Sequence, residues 1–149
     1  MSEAVRITNL LHRHAELMDE GDLAGVAALF AHAVVRLGDG ASVHGAEAML
    51  AVWRANVRLH ACGTPRTKHV VTNPIVEADA AETGATCRSY YTVLQAAAGV
   101  PLQVIGAGRH HDRFERVDGA WRFAERDYGM FDLRGDLSQH MPGAGPAAT

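Results

Sequence analysis

The stretch Arg113-Phe114-Glu115-Arg116-Val117-Asp118-Gly119-Ala120-Trp121-Arg122-Phe123 carries the strongest hairpin signal in the chain. Asp-Gly is the dipeptide that a tight two-residue turn prefers, because both central residues of that turn need a positive φ. Segments with apolar and aromatic residues stand on both sides of the turn. The sequence therefore predicts two antiparallel strands here, the second of which runs to Arg126.

Outward from this hairpin, the pattern changes from strand to helix towards the N-terminus. Residues 67–76, 83–94 and 102–117 read as strands, and residues 34–37 as a short one. Apolar side chains recur at helical spacing over residues 3–18 and 46–57, and a further helix is expected over 23–31, with Gly21 ending the first helix and Asp22 capping the second. Helices followed by antiparallel strands predict an α+β domain with a pocket inside its sheet.

Composition narrows the class of protein further. With 149 residues, 48% of them apolar, we expect a single domain over 1–149, with its packed core at about 5–135 and a mobile Gly- and Pro-rich tail over 136–149. Fourteen basic against seventeen acidic residues argue against nucleic-acid binding. The chain has no apolar run long enough for a membrane helix. Two distant cysteines, Cys62 and Cys87, favour a cytoplasmic location.

The predicted strand over residues 67–76 carries the first candidate for chemistry. Side chains alternate between the two faces of a strand, so His69, Val71, Asn73 and Ile75 are expected to share the inner face. A histidine there could be a core residue that bonds to the backbone, or it could be a general base, since the imidazole pKa lies near neutrality. Asn73 would then contact substrate.

A histidine base works best when a carboxylate orients its second ring nitrogen. Asp19 is the candidate, because it follows Leu17 and Met18 at the end of the first predicted helix. The alternative is that Asp19 belongs only to an acidic helix-ending turn with Glu20 and Asp22.

Other polar residues have an undecided orientation. His110 and His111 must lie on opposite strand faces, and parity with Phe114 favours His110 inside unless a bulge intervenes. Either Tyr90 or Tyr91 could donate to a substrate oxygen, and parity groups Tyr91 with the apolar Val93. His110-x-Asp112 fits half of a metal site, but no other metal pattern accompanies it and Asp112 reads as solvated. We therefore expect no metal.

Several blocks of the sequence resemble one known family. Ile7 to Phe30 is similar to the opening helices of SnoaL-like proteins, which belong to the nuclear-transport-factor-2-like superfamily. Arg66 to Pro74 resembles their central strand, and Gly108 to Arg116 with Asp118 to Phe123 resembles their last hairpin. The resemblance spans about residues 5–135. Relatives include scytalone dehydratase, hexachlorocyclohexane dehydrochlorinase, ketosteroid isomerase, polyketide cyclases and small subunits of ring-hydroxylating dioxygenases.

The resemblance implies a cone-shaped α+β fold in which three helices and a curved, mostly antiparallel sheet surround an apolar cavity. It implies a catalytic pair of His69 and Asp19, and a basic residue at the cavity for which Arg126 is the nearest match. Arg126, Asn73 or a tyrosine would stabilise the negative charge that develops on the substrate. His14 and His110 stand where the family commonly has tyrosine. Both are therefore expected to contact substrate, together with Tyr91 and with Trp53 from the third helix.

The function expected on these grounds is that of a cofactor-independent lyase of the dehydratase type, or an isomerase or cyclase. It would act on a hydrophobic cyclic small molecule by His–Asp general-base catalysis. The alternatives are a noncatalytic small-molecule binder and a structural subunit that resembles the dioxygenase small subunit. The resemblance also favours a homodimer or homotrimer.

Overall fold

A computed structural model describes residues 1–144 of the chain. Three helices, named α1, α2 and α3, span Glu3–Glu20, Leu23–Ala28 and Ala46–Asn56. Seven strands, β1 to β7, span Val34–Arg36, Ser42–His44, Thr67–Ala78, Gly84–Ala97, Val100–Val117, Ala120–Asp127 and Leu133–Arg134, and a 3₁₀ turn follows at Pro142–Ala144. The expected α+β class is confirmed.

The helices begin and end where local chemistry dictates. Gly21 ends α1 at φ 79°, a conformation that favours glycine. Asp22 then caps α2, because its side chain accepts a hydrogen bond from the Gly25 amide at 2.8 Å. The predicted second helix is shorter than expected, since it ends at Ala28 and turns follow it.

The sheet is mixed and has the order β2-β1-β6-β5-β4-β3, with β7 paired to β5. Its neighbours are antiparallel except for β1 and β6, which run parallel. The Asp118-Gly119 turn joins β5 to β6 as predicted, with φ values of 50° and 80°. Strands β2 and β7 were not predicted, because two or three residues are too few for an alternating pattern to be visible.

The helices cover the concave face of the sheet. In α1 the buried residues Ile7, Leu11, His14 and Met18 recur at spacings of three and four. Ile7, Leu11 and Met18 pack with residues of α2, α3 and the β5–β6 hairpin in one apolar cluster. His14 is therefore a polar residue set into an otherwise apolar helix face.

The core extends beyond residue 135, which corrects the expected boundary. Leu137 and His140 are buried, and the Gly135 amide donates to the Ile105 carbonyl oxygen at 2.9 Å. Leu137 and Met141 are too few and too widely spaced to give this segment a periodic apolar pattern. Residues 145–149 of the expected mobile tail lie outside the described residues.

Two glycines of β5 let the chain that follows β6 lie close to the sheet. A Cβ on Gly106 would meet the Phe131 ring at 2.4 Å, and one on Gly108 would meet the Met130 carbonyl oxygen at 2.3 Å and the Tyr91 hydroxyl at 2.6 Å. We therefore assign these glycines to close packing of the chain across the sheet.

A buried ion pair joins β5 to β6. The Arg126 guanidinium donates to both carboxylate oxygens of Asp112, at 2.7 Å each, and the side chains are only 1% and 0% exposed. The expectation that Asp112 is solvated is therefore wrong, because the two residues face each other across the hairpin and bury together.

No helix among residues 1–144 is long and apolar enough to span a membrane.

We expect Gly108→Ala to destabilise the protein, because the added methyl group would overlap backbone at Met130 as well as the Tyr91 side chain. Overpacking of this kind costs about 1–3 kcal/mol. Gly143→Ala is the matched control, since a Cβ there meets nothing within 4 Å. Urea unfolding measures both, and equal midpoints for the two variants would contradict the close packing.

Asp112→Asn should also be strongly destabilising, because it leaves the Arg126 charge buried without its counter-ion. Breaking a buried pair costs about 3–5 kcal/mol. The control is Glu125→Gln, which removes the partner of the exposed Arg36 and Arg113 and should cost at most about 1 kcal/mol. If urea unfolding showed similar losses of stability for Asp112→Asn and Glu125→Gln, other groups would have to balance the Arg126 charge.

Candidate functional site

The end of α1 meets the beginning of β3 through a single carboxylate. Asp19, the penultimate residue of α1, accepts hydrogen bonds at 2.8 Å from the Thr67 hydroxyl and from the His69 backbone amide. Its Oδ1 also lies 2.6 Å from Nδ1 of His69. The structure therefore brings together the two residues that the sequence analysis paired.

This contact determines which nitrogen of His69 carries the proton. Burial acts to raise the pKa of Asp19, but hydrogen bonds and the nearby His69 outweigh it, so the pKa is lowered overall. The side-chain hydrogen bond from His69 is the largest of these lowering effects. An ionised carboxylate only accepts hydrogen bonds, so Nδ1 is the donor in this contact, and in the neutral imidazole Nε2 then holds the lone pair. No hydrogen bond from Nε2 to another residue in 1–144 is found, and the His69 side chain is 13% exposed and borders a cavity.

The cavity has a volume of about 700 Å³, which lies within the usual range for small-molecule sites. Apolar side chains make up much of its wall, among them Met18, Val52, Trp53, Val57, Val93, Ile105, Phe131 and Leu137. The polar side chains of the wall are imidazoles and phenols, together with one amide and two exposed, charged residues: His14, His69, Tyr91, His110, Tyr128, His140, Asn56, Asp39 and Arg134. The cavity therefore combines an apolar lining with a few polar groups.

His110 and Tyr91 are buried on the cavity side of the sheet, whereas His111 and Tyr90 are exposed on the other side. The His110 and Tyr91 rings stack with centroids 4.4 Å apart. His110 also contacts the Tyr128 ring edge-on at 5.4 Å. The sequence left open which histidine and which tyrosine of these pairs faces inward. In both cases it is the residue that strand alternation favoured.

His14 and Trp53, which were both expected to contact substrate, also line the cavity. Nε2 of His14 lies 2.8 Å from the Tyr128 hydroxyl oxygen. Tyr128 was not predicted, although it follows Arg126 by two residues, and alternation would have placed it on the same face as that buried residue. Burial raises the pKa of Tyr128 to about 12, so it remains a neutral phenol.

Two predicted residues do not reach the cavity. Asn73 has φ 56° and is exposed, because a β-bulge between Thr72 and Ile75 interrupts the alternation of β3. Arg126 lies behind the wall, with its guanidinium carbon 5.5 Å from the Tyr128 ring centre. Its Nε and Nη2 donate to Asp112, and its Nη1 is buried with no hydrogen-bond partner among residues 1–144.

Arg126 nevertheless affects the cavity through its charge. The pKa values of His14 and His110 both lie well below the ordinary value, chiefly because of burial and then because of the Arg126 charge. These imidazoles are therefore neutral at neutral pH.

Among residues 1–144 we find no group of three or more His, Cys, Asp or Glu side chains arranged to hold a metal ion. Cys62 is exposed, Cys87 is buried and both are free thiols.

The chain was compared with known proteins. None of the curated proteins matches it. Among solved structures, a Mycobacterium tuberculosis protein of unknown function, Rv3472, is 29% identical with a TM-score of 0.68, over 90% of this chain and 72% of that one. A protein from Novosphingobium aromaticivorans described as NTF2-like with a cystatin-like fold is 19% identical, with a TM-score of 0.67 over 82% and 77%.

A scytalone dehydratase-like protein from Novosphingobium aromaticivorans is 20% identical, with a TM-score of 0.71 over 98% of this chain and 95% of that one. These likenesses, with the three helices and the open, curved sheet, confirm the cone-shaped α+β fold. The family model for the SnoaL-like domain matches residues 1–127. The chain therefore belongs to the SnoaL-like domain family, as its resemblance to that family predicted.

Proposed function

We propose that this protein is a cofactor-independent lyase of the dehydratase type, and that it acts on a hydrophobic cyclic ketone carrying a hydroxyl group. The observation that carries the proposal is the Asp19–His69 pair, whose base nitrogen borders an apolar cavity. A general base needs an available lone pair and a fixed orientation, and the Asp19 carboxylate supplies both conditions to His69.

In the proposed reaction, Nε2 of His69 removes a proton from the carbon next to the ligand carbonyl. Asp19 stays ionised and stabilises the imidazolium that forms. The electron pair left by that proton then forms a C=C bond to the neighbouring carbon as the C–O bond there breaks. The C–O electron pair leaves with the hydroxyl oxygen, and the proton held by His69 converts that hydroxide to water. His69 is thereby returned to its neutral form.

The carbonyl oxygen gains negative charge in the first step and needs a hydrogen-bond donor. Tyr91 lines the cavity, and burial raises the pKa of its hydroxyl, so this group keeps its proton. A neutral phenol in an apolar site is a suitable donor for a developing oxyanion. We assign this role to Tyr91, since the Tyr128 hydroxyl is already engaged with His14.

The neutral imidazoles on the wall support an uncharged ligand. His14 and His110 carry no charge at neutral pH, and the Arg126 charge is balanced by Asp112. A charged substrate would lose its hydration without meeting an opposite charge from these groups. The charged side chains that do line the cavity, Asp39 and Arg134, are exposed to solvent. An uncharged ring system loses little by entering and gains from contact with the apolar wall.

His69→Gln and Asp19→Asn should each lower kcat by about 10²–10⁴-fold. The first removes the base, and the second puts an amide where the carboxylate stood, so that Nδ1 of His69 can accept and Nε2 takes the proton. The probe is 3-hydroxy-1-tetralone, whose dehydration product tautomerises to 1-naphthol, measured by fluorescence. Glu20→Gln, an exposed residue of the same helix, is the control. Turnover that is equal in all four proteins would refute the proposal, and binding without turnover in the parent would identify a noncatalytic binder.

Stability should fall as the pH falls from about 6.5 towards 4, because folding lowers the pKa of His14, His110 and His140, the last to about 4. In this window each such histidine takes up a proton in the unfolded chain but not in the folded protein. The free energy of unfolding therefore falls by about 1.4 kcal/mol per pH unit for each of them. Above the unfolded value the stability is fully present. Urea midpoints at about pH 8 and pH 5 measure this loss.

His14→Gln should reduce the slope of stability against pH, whereas His12→Gln, at an exposed position on α1, should leave it as in the parent. A slope unchanged by His14→Gln would show that His14 is protonated in the folded protein.

A further inference from the structure

The segment that follows β7 closes part of the cavity and was not expected to contribute to the site. Leu137, His140 and Met141 line the cavity. The Gln95 amide nitrogen donates at 2.9 Å to the Gln139 carbonyl oxygen, and Nε2 of His60 lies 2.9 Å from the same oxygen. The backbone around His140 is therefore held to the rest of the domain.

His140 stands beside the candidate base. Its ring centroid lies 5.9 Å from that of His69, at an interplanar angle of 68°, and the residue is 5% exposed. The Arg58 amide donates to the His140 carbonyl oxygen at 2.8 Å, which fixes the backbone next to the ring. Two imidazoles thus border the same part of the cavity.

The surroundings of His140 indicate which of its nitrogens carries hydrogen. Nδ1 is buried and has no hydrogen-bond partner among residues 1–144. A buried N–H without a partner is rarer and more costly than a buried acceptor without one, so the hydrogen belongs on Nε2. Burial and the neighbouring His69 lower the pKa of His140 to about 4 despite the nearby Asp19, and the ring is therefore neutral.

The two imidazoles consequently have complementary roles. Nε2 of His69 accepts, because Nδ1 donates to Asp19, whereas Nε2 of His140 donates. A hydroxyl group is both donor and acceptor, so a ligand hydroxyl beside this pair can be bound by His140 while His69 is close enough to return a proton to its oxygen.

We infer that His140 is a specificity-determining residue that binds the departing hydroxyl group of the substrate, on the carbon next to the one that His69 deprotonates. This inference rests on the proposed function. In the step concerned, the C–O electron pair moves onto the oxygen, which accepts a hydrogen bond from Nε2–H of His140 and receives its proton from the His69 imidazolium. His140 itself neither gains nor loses a proton.

The test compares two ketones that differ by the hydroxyl alone, 3-hydroxy-1-tetralone and 1-tetralone. Binding is measured by calorimetry in a His69→Gln background, where the base is missing and the probe is not consumed. We expect His140→Phe to lower the preference for the hydroxylated ketone by about 2–10-fold, the size of one neutral hydrogen bond. His140→Gln supplies an amide donor and should restore that preference.

His60→Ala is the matched control, because it removes a contact to Gln139 without touching the cavity lining. It should weaken both ketones alike. An equal loss of affinity for the two ketones in His140→Phe would overturn the inference and leave His140 a packing residue. With His69 present, kcat/KM for the hydroxylated ketone should fall in His140→Phe and recover in His140→Gln.

The outcomes separate this inference from the proposed function. A parent that converts 3-hydroxy-1-tetralone, with an undiminished kcat/KM in His140→Phe, would retain the lyase and overturn the role of His140. A parent that does not convert it, yet prefers it to 1-tetralone only when His140 is present, would overturn the lyase and retain the hydroxyl-binding residue. A parent that binds neither ketone overturns both.

Discussion

The rest of the site depends on the hydrogen bonds that the Asp19 carboxylate accepts. It joins the last turn of α1 to the first residues of β3 by accepting from Thr67 and from the backbone and ring of His69. Hydrogen bonds to a charged group are worth about 1.5–3 kcal/mol each. The same oxygen atoms that hold the helix on the sheet also select the His69 tautomer, so the packing of this junction and its chemistry share one group.

A second constraint acts from behind the cavity wall. Arg126 was expected to contact the substrate, but it is buried against Asp112 and the ring of Tyr128. Its charge still lowers the pKa of His14 and of His110. The buried ion pair thus helps to keep two titratable side chains of the cavity wall, His14 and His110, in their neutral form.

Much of this arrangement could be predicted from the sequence, because it follows from local periodicity and from blocks that resemble one family. Alternation placed His69 on the inner face, and helical spacing left Asp19 at the end of a buried stripe. Alternation failed at Asn73, where a bulge interrupts the strand. Pro74, the next residue, is the sequence signal for this bulge, because proline inside a strand is confined to edges and bulges. Alternation from Arg126 could have indicated Tyr128, which directly follows β6. His140 lies in irregular chain, where position depends on long-range packing and not on a repeat.

The bulge in β3 also divides that strand into two parts with different freedom to change. Residues before it are tied to α1 through Asp19, whereas the residues after it pair with β4 in a shifted register. A one-residue insertion or deletion beyond Thr72 would alter which side chains of the outer half face the core, but the bulge can absorb the shift before it reaches His69. The outer half of β3 is therefore the part of this strand in which related proteins can vary in length while they keep the same base in place.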